Sequence, residues 1–308
     1  MKTAEEKTGT YKKPFLTRQR KQAMYGVAYI MPACIIIAIF CIATIFMAIY
    51  YSFTEYNMIK APELVGLKNY LKMFSDKAFR AAMVNTLKYV VITVPAQVCI
   101  SLGLAAFLAE KLQNRFGSFA KSVIFIPYII SGIAASAVWS ILFKKDGLIN
   151  TALSAVGAKG PNWLGDRNLA FLCVCIVVIW KSLGYFLIIY YAGVQGVPRE
   201  QHEAALCDGA TPLQRFWYIT VPGVKPITYM VVTLSIINSF QTFDVVYQLT
   251  YGGPGTATMT VAYVIYQAAF KDWKMGYACA LAVILLLLVL AVNLIQDLFF
   301  KEKKKGGR

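Results

Sequence analysis

This chain of 308 residues is short of charge and shorter still of catalytic side chains. Only 15% of its residues are Asp, Glu, Lys or Arg, while 58% are hydrophobic, a balance outside the range of water-soluble domains. It has one histidine, His202, so His-based acid–base or metal chemistry has almost nothing to draw on. Of seven cysteines, six lie in apolar stretches, and only Cys207 is in a polar one. Cys173 and Cys175 lack the CxxC spacing, so neither a disulfide framework nor a zinc site is expected. There is no GxxxxGK[ST] sequence to cradle a nucleotide, and acidic residues are half as many as basic ones. A soluble enzyme is excluded on composition, and the formal charge of +16 reads first as a membrane-orientation signal rather than a nucleic-acid surface.

What the chain has is long apolar runs. A hydrocarbon layer of roughly 30 Å takes about 20 apolar residues of helix. Six stretches qualify: 22–54, 89–109, 122–143, 168–194 with Lys181 inside, 227–250 with Asp244 inside, and 275–296. The expected fold is therefore all-α, a polytopic membrane protein of about six transmembrane helices. Its parts are an N-terminal cytoplasmic segment (1–22), a transmembrane domain (23–300) and a basic cytoplasmic tail (301–308). The first run follows a basic segment, is too long for a signal-peptide core and has no small-x-small cleavage site, so it is expected to stay as an anchor. The termini and the second and fourth loops hold eighteen Lys and Arg, against eleven in the other three loops, which points both termini into the cytoplasm. Leu67, Tyr70, Leu71 and Phe74 have the spacing of an interfacial amphipathic helix, and Tyr251-Gly252-Gly253-Pro254-Gly255 breaks the chain after the fifth span.

The fourth loop (196–226) carries the sharpest local signals. Pro198 at the start and Gly209 at the end bracket a helix of about ten residues containing Glu203, Ala204, Ala205 and Asp208. Thr211-Pro212-Leu213-Gln214 is a capping-box pattern opening a second short helix, with Phe216, Trp217 and Ile219 as an apolar base and Pro222 as its expected end. Ala204 and Ala205 leave a small-sided face onto which another protein can pack closely. On the residues alone, a plain tether between spans four and five is the favoured reading.

On a helical wheel of span five, Ser235, Asn238, Gln241, Thr242, Asp244 and Gln248 share one arc, opposite Ile236, Phe240, Phe243 and Tyr247. Such an arc faces protein or a water-filled cavity, since polar groups stranded in lipid are costly. It either lines a pocket or bonds to a neighbouring helix. Trp180 and Tyr185 are aromatic faces on which a sugar ring can stack. Lys181 and Asp244 form a structural ion pair, a cavity lining or a proton relay. Tyr128, Trp139 and Tyr190 are candidates for interfacial anchors.

Glu203-Ala204-Ala205, then Gly209, Ile219 and Pro222, resemble the EAA motif of the membrane subunits of bacterial ATP-binding-cassette (ABC) importers, with Val221 where that family usually has Leu. Asp208-Gly209-Ala210, Trp180 with Gly184, Ala192-Gly193, Gln195, Pro198, Asn85-Thr86, and Leu249 to Pro254 with Thr258 resemble its carbohydrate-uptake branch, whose members are the maltose and glycerol-3-phosphate permeases. So do Tyr266, Ala269-Phe270 and Gly276-Tyr277-Ala278; together the likeness covers roughly residues 20–300. It implies the type I importer permease fold in a bacterial inner membrane. The loop around Glu203, Ala204, Ala205, Asp208 and Gly209 would couple to a separate cytoplasmic ATPase dimer. The further partners implied are a second permease subunit completing a heterodimer, an extracellular or periplasmic sugar-binding protein, and the sugar itself. Trp180, Tyr185, Asn238, Gln241, Thr242 and Asp244 are the expected substrate pathway, with no catalytic residue, metal or cofactor. The rival classes are an ion-coupled secondary transporter acting alone and a membrane-embedded transferase.

Overall fold

The computed structural model describes residues 18–302. The expected N-terminal segment up to residue 17, and the basic tail from residue 303, lie outside the described residues. The chain forms two units, Met1–Tyr50 and Tyr51–Arg308. In the first, α1 (Arg18–Ile37) passes Pro32 without ending, runs through a π-turn (Ala38–Ile42) and leads into α2 (Ala43–Ser52), which crosses the unit boundary. Side chains 22–47 are all exposed. Ile, Phe, Tyr and Met dominate them, an outer surface suited to lipid or to another membrane helix.

The second unit opens with a two-rung antiparallel hairpin, β1 (Thr54–Glu55) with β2 (Glu63–Leu64). Lys68 sits 3.0 Å from Glu55 at its base, and that ammonium holds the Glu55 carboxyl below the ordinary carboxylate value. The amphipathic helix follows as α3 (Lys68–Ser75). Met73 and Asn69 are buried, whereas Leu67, Leu71 and Phe74 are exposed, the arrangement of a helix lying in an interface. Asp76 then caps α4 (Lys77–Lys111), accepting from Ala78 N at 2.8 Å. At 35 residues α4 is about 52 Å long, so span two starts well before the expected Tyr89.

Two expected spans are broken. The third is α5 (Arg115–Ile129) followed by α6 (Gly132–Leu142), turned by 100° at Ile130–Ser131. Then come α7 (Leu148–Ala155) and α8 (Arg167–Gln195), the latter capped by Asp166 at Asn168 N and Leu169 N. Loop four is α9 (Arg199–Cys207), α10 (Pro212–Arg215), a π-turn (Phe216–Thr220) and α11 (Val221–Gly223). Pro222 does not end this segment as expected: the π-turn before it absorbs the register, and the chain turns by 73° only at Val224. The fifth span is α12 (Lys225–Phe240), which stops at Gln241, and α13 (Asp244–Leu249), so the continuous helix expected through Thr250 is replaced by two pieces. The unit closes with α14 (Val261–Tyr266), a π-turn (Gln267–Lys271) and α15 (Met275–Glu302). By length and apolarity, four helices among the described residues can cross a membrane, or six if α5 with α6, and Pro212–Gly223 with α12, each count as one bent span.

The core of this unit is α4 packed along α8 and α12. Leu102 and Ala105 of α4 meet Phe186 and Tyr190 of α8 and Val231 of α12, all buried. Tyr190 is fully enclosed, which does not suit an interfacial anchor, and half-buried Trp139 packs against Phe143 and Trp180. The Asn85-Thr86 pair clamps the loop before α14: Asn85 Nδ2 donates to Thr256 O (2.8 Å) and Met259 O (3.1 Å), and Thr86 Oγ1 accepts from Val261 N (3.0 Å).

Candidate translocation cavity and coupling loop

A cavity of about 350 Å³ opens where the broken helices meet α4 and α8. Its polar wall comes from Gln97 (α4), Lys181 and Ser182 (α8), Asn238 (α12), Gln241 and Thr242 in the helix break, and Asp244 at the start of α13; Tyr128 and Phe243 supply rings. Four of the six expected pathway residues are thus brought together: Asn238, Gln241, Thr242 and Asp244. Trp180 is outside the lining, its ring edge-on to Trp139 with centroids 5.5 Å apart. Tyr185 is one layer behind, stacked on Tyr128 at 4.5 Å. Phe243, expected on the side away from the polar arc, lines the cavity, because the helix ends at Phe240 and a regular 100° progression no longer applies beyond it.

The polar groups divide into two kinds. Gln97 is buried and satisfied: its Nε2 donates to Ser182 Oγ at 2.7 Å, and its Oε1 accepts from Ser235 Oγ. Ser235 thereby belongs to a helix-bridging network rather than to the open wall. Asn238 and Gln241 are exposed to the cavity, and their amides bond to no other described side chain or backbone group. Free amides offer a donor and an acceptor each, the complement of a hydroxyl.

Lys181 Nζ lies 3.0 Å from Asp244 Oδ2, and Asp244 Oδ1 accepts from Val245 N at 2.9 Å. The pair rests directly on Gly132, where a Cβ would come 1.3 Å from Asp244 Oδ2 and 2.7 Å from Lys181 Nζ. Glycine is required there by the close approach. The two opposite charges cancel, so the cavity wall carries no unpaired cation among the described residues. No cluster of three His, Cys, Asp or Glu able to hold a metal occurs among them either.

In the fourth loop, α9 buries none of its side chains. Glu203, Ala204 and Asp208 are exposed and Ala205 is half-buried. Gly209 has φ +77°, and the turn is closed by Ala210 N donating to Ala205 O (2.8 Å) and Gly209 N to Leu206 O (3.0 Å). The capping box forms as expected, with Thr211 N donating to Gln214 Oε1 at 2.8 Å. Phe216 and Ile219 pack on the bundle, but Trp217 is 57% exposed and does not join that base.

Residues 101–305 match the family model described as the inner membrane component of binding-protein-dependent transport systems. The chain belongs to that family. This permease is 36% identical over 282 residues to the probable ABC transporter permease protein YurN of Bacillus subtilis, covering 90% of this chain and 96% of the relative. It is 30% identical over 276 residues to the trehalose/maltose transport system permease protein MalF of Thermococcus litoralis, covering 89% and 92%. Its fold matches a chain in the crystal structure of a bacterial ABC transporter involved in the import of the acidic polysaccharide alginate, with TM-score 0.80 and 19% identity over 92% of this chain and 98% of that one. The permease is accordingly an all-α, multi-pass membrane protein of the type I importer fold, a transport component of a binding-protein-dependent system and not an enzyme.

Sequence reasoning missed Gln97, Ser182 and Gly132. The signal for Gln97 was present, since it is the one amide in the run 89–109. Gly132 had none, because only the meeting of three helices makes it necessary.

Proposed function

We propose that this permease is one half of an ATP-driven importer of neutral sugars, paired with a second permease and driven by a separate cytoplasmic ATPase dimer through α9. Both termini face the cytoplasm in this reading, and the sugar is delivered from the other side by a binding protein. The observation that carries it is the pair of unbonded amides, Asn238 and Gln241, facing a cavity whose charges are neutralised within the wall. Amides suit hydroxyls, and a neutral wall offers no counter-ion to an acidic sugar. The relative named for trehalose and maltose supports the substrate class. Exposed α9, with its small Ala204, supports the docking role.

The test is co-purification followed by ATP hydrolysis. The isolated chain is expected to hydrolyse no ATP, and hydrolysis to appear when the co-purifying ATPase is present. Robust hydrolysis by the chain alone sinks the assignment.

A further inference from the structure

The fourth loop is tied to the bundle at its two ends rather than through α9, which contributes no buried side chain. Val197 before α9, and Phe216, Ile219, Val221 and Val224 after α10, join one apolar cluster with α4 and α8. Beside them is one ion pair: Arg215 Nη2 donates to Glu110 Oε1 at 2.7 Å, joining residues 105 apart in sequence. Arg215 is the last residue of α10, whose direction the capping box at Thr211 fixes, and Glu110 is one residue from the end of α4. The Arg215 side chain is only 12% exposed, and its Nε has no partner among the described residues. Removing Glu110 would therefore leave a largely buried guanidinium uncompensated, a far stronger effect than at exposed Lys68–Glu55. The same helix carries Gln97 into the translocation cavity, thirteen residues or about 20 Å away, with no proline between them.

We propose that Arg215 and Glu110 form a strut that makes the coupling loop and the cytoplasmic half of α4 move as one body, so that displacement of α9 reaches Gln97 and the cavity wall. Arg215 is a positioning residue, acting through α4. The inference rests on the reading of α9 as the ATPase contact.

The test uses the complete complex with its ATPase, in a chain whose cysteines other than Cys207 are replaced by alanine. Spin labels are placed on Cys207 in α9 and on Lys111→Cys at the end of α4. With Glu110 and Arg215 intact, the distance between labels is expected to stay narrow both without nucleotide and after trapping with ADP and vanadate. Arg215→Glu should broaden it, and Arg215→Glu with Glu110→Arg should restore it. A distribution that stays narrow in Arg215→Glu overturns the strut, as does broadening that the charge swap leaves unchanged. Glu203→Lys separates the two readings. If it leaves the ATPase attached in a pull-down, the coupling role of α9 fails. If it releases the ATPase while Arg215→Glu keeps the distances narrow, the strut alone fails.

Discussion

The coupling loop and the translocation cavity are built by opposite means. In the loop, the features that shape α9 itself lie within a few residues of it: Pro198 before the first turn, Gly209 at φ +77° after the last, and Thr211 with Gln214 capping the next helix. What is long-range is the tie of the finished loop to α4 through Arg215 and Glu110. In the cavity, the wall is assembled from α4, α5, α8, α12, α13 and the break between the last two, and the Lys181–Asp244 pair needs the bare backbone of Gly132 from a third element. A site made by local rules stands by itself and is broken by one backbone change. A site made by convergence depends on packing, and keeps its shape under substitutions that leave the helices in place.

The sharpest way to break that contrast is at Gly209. A β-branched residue at this positive φ costs roughly 1–2 kcal/mol, and since no atom lies within 4 Å of the added Cβ, the whole penalty is conformational. Gly209→Val is expected to abolish transport while the permease still inserts and the cavity stays intact. Uptake at the native rate would mean that the loop is a tether.

Next in size is Gly132→Ala, which drives a methyl into Asp244 and separates it from Lys181. Uptake should fall strongly, with the ATPase still attached. If Lys181→Met with Asp244→Asn transports as well as the native pair, the charges only fill the wall and convergence at Gly132 matters for shape alone.

A smaller effect is expected at the free amides. Asn238→Leu or Gln241→Leu removes one hydrogen-bonding group from the wall, worth about 1–3 kcal/mol, or roughly five- to hundredfold in apparent affinity. Radiolabelled uptake with the binding protein present should show it, and unchanged uptake in both variants would move the sugar path elsewhere. The smallest effect belongs to Ile236→Leu, packed with Val94 and Phe240 on the far side of α12, where a shape change among aliphatic chains should alter uptake little.

The same contrast governs how much was legible beforehand. Pro198, Gly209 and the Thr211 capping box act over a turn or two, so α9, as a short helix of about ten residues, and its αL cap were legible. Gln241 to Asp244 had no local signal for a break: Thr242-Phe243-Asp244 contains neither proline nor glycine, and the interruption comes from packing, with Thr260 Oγ1 donating to Thr242 O at 2.7 Å and Asp244 drawn to Lys181. The wheel's polar arc therefore reaches the cavity at Asn238, Gln241, Thr242 and Asp244, and the wheel fails at Phe243, which it put on the opposite side. The 100° turn at Ile130–Ser131 was hidden for the same reason, inside a run whose apolarity reads as one span. Trp180 and Tyr185 were chosen for ring chemistry alone, which cannot tell a cavity face from a packed one.

The central claim is that this chain moves a sugar only when an ATPase works through α9. Uptake of radiolabelled sugar into proteoliposomes holding the complete complex tests it directly, with ATP on the ATPase side in one arm and a proton gradient alone in the other. Uptake should require ATP and the binding protein, and should vanish with Gly209→Val. Accumulation by the purified chain alone, driven by the gradient without ATP, would contradict the account.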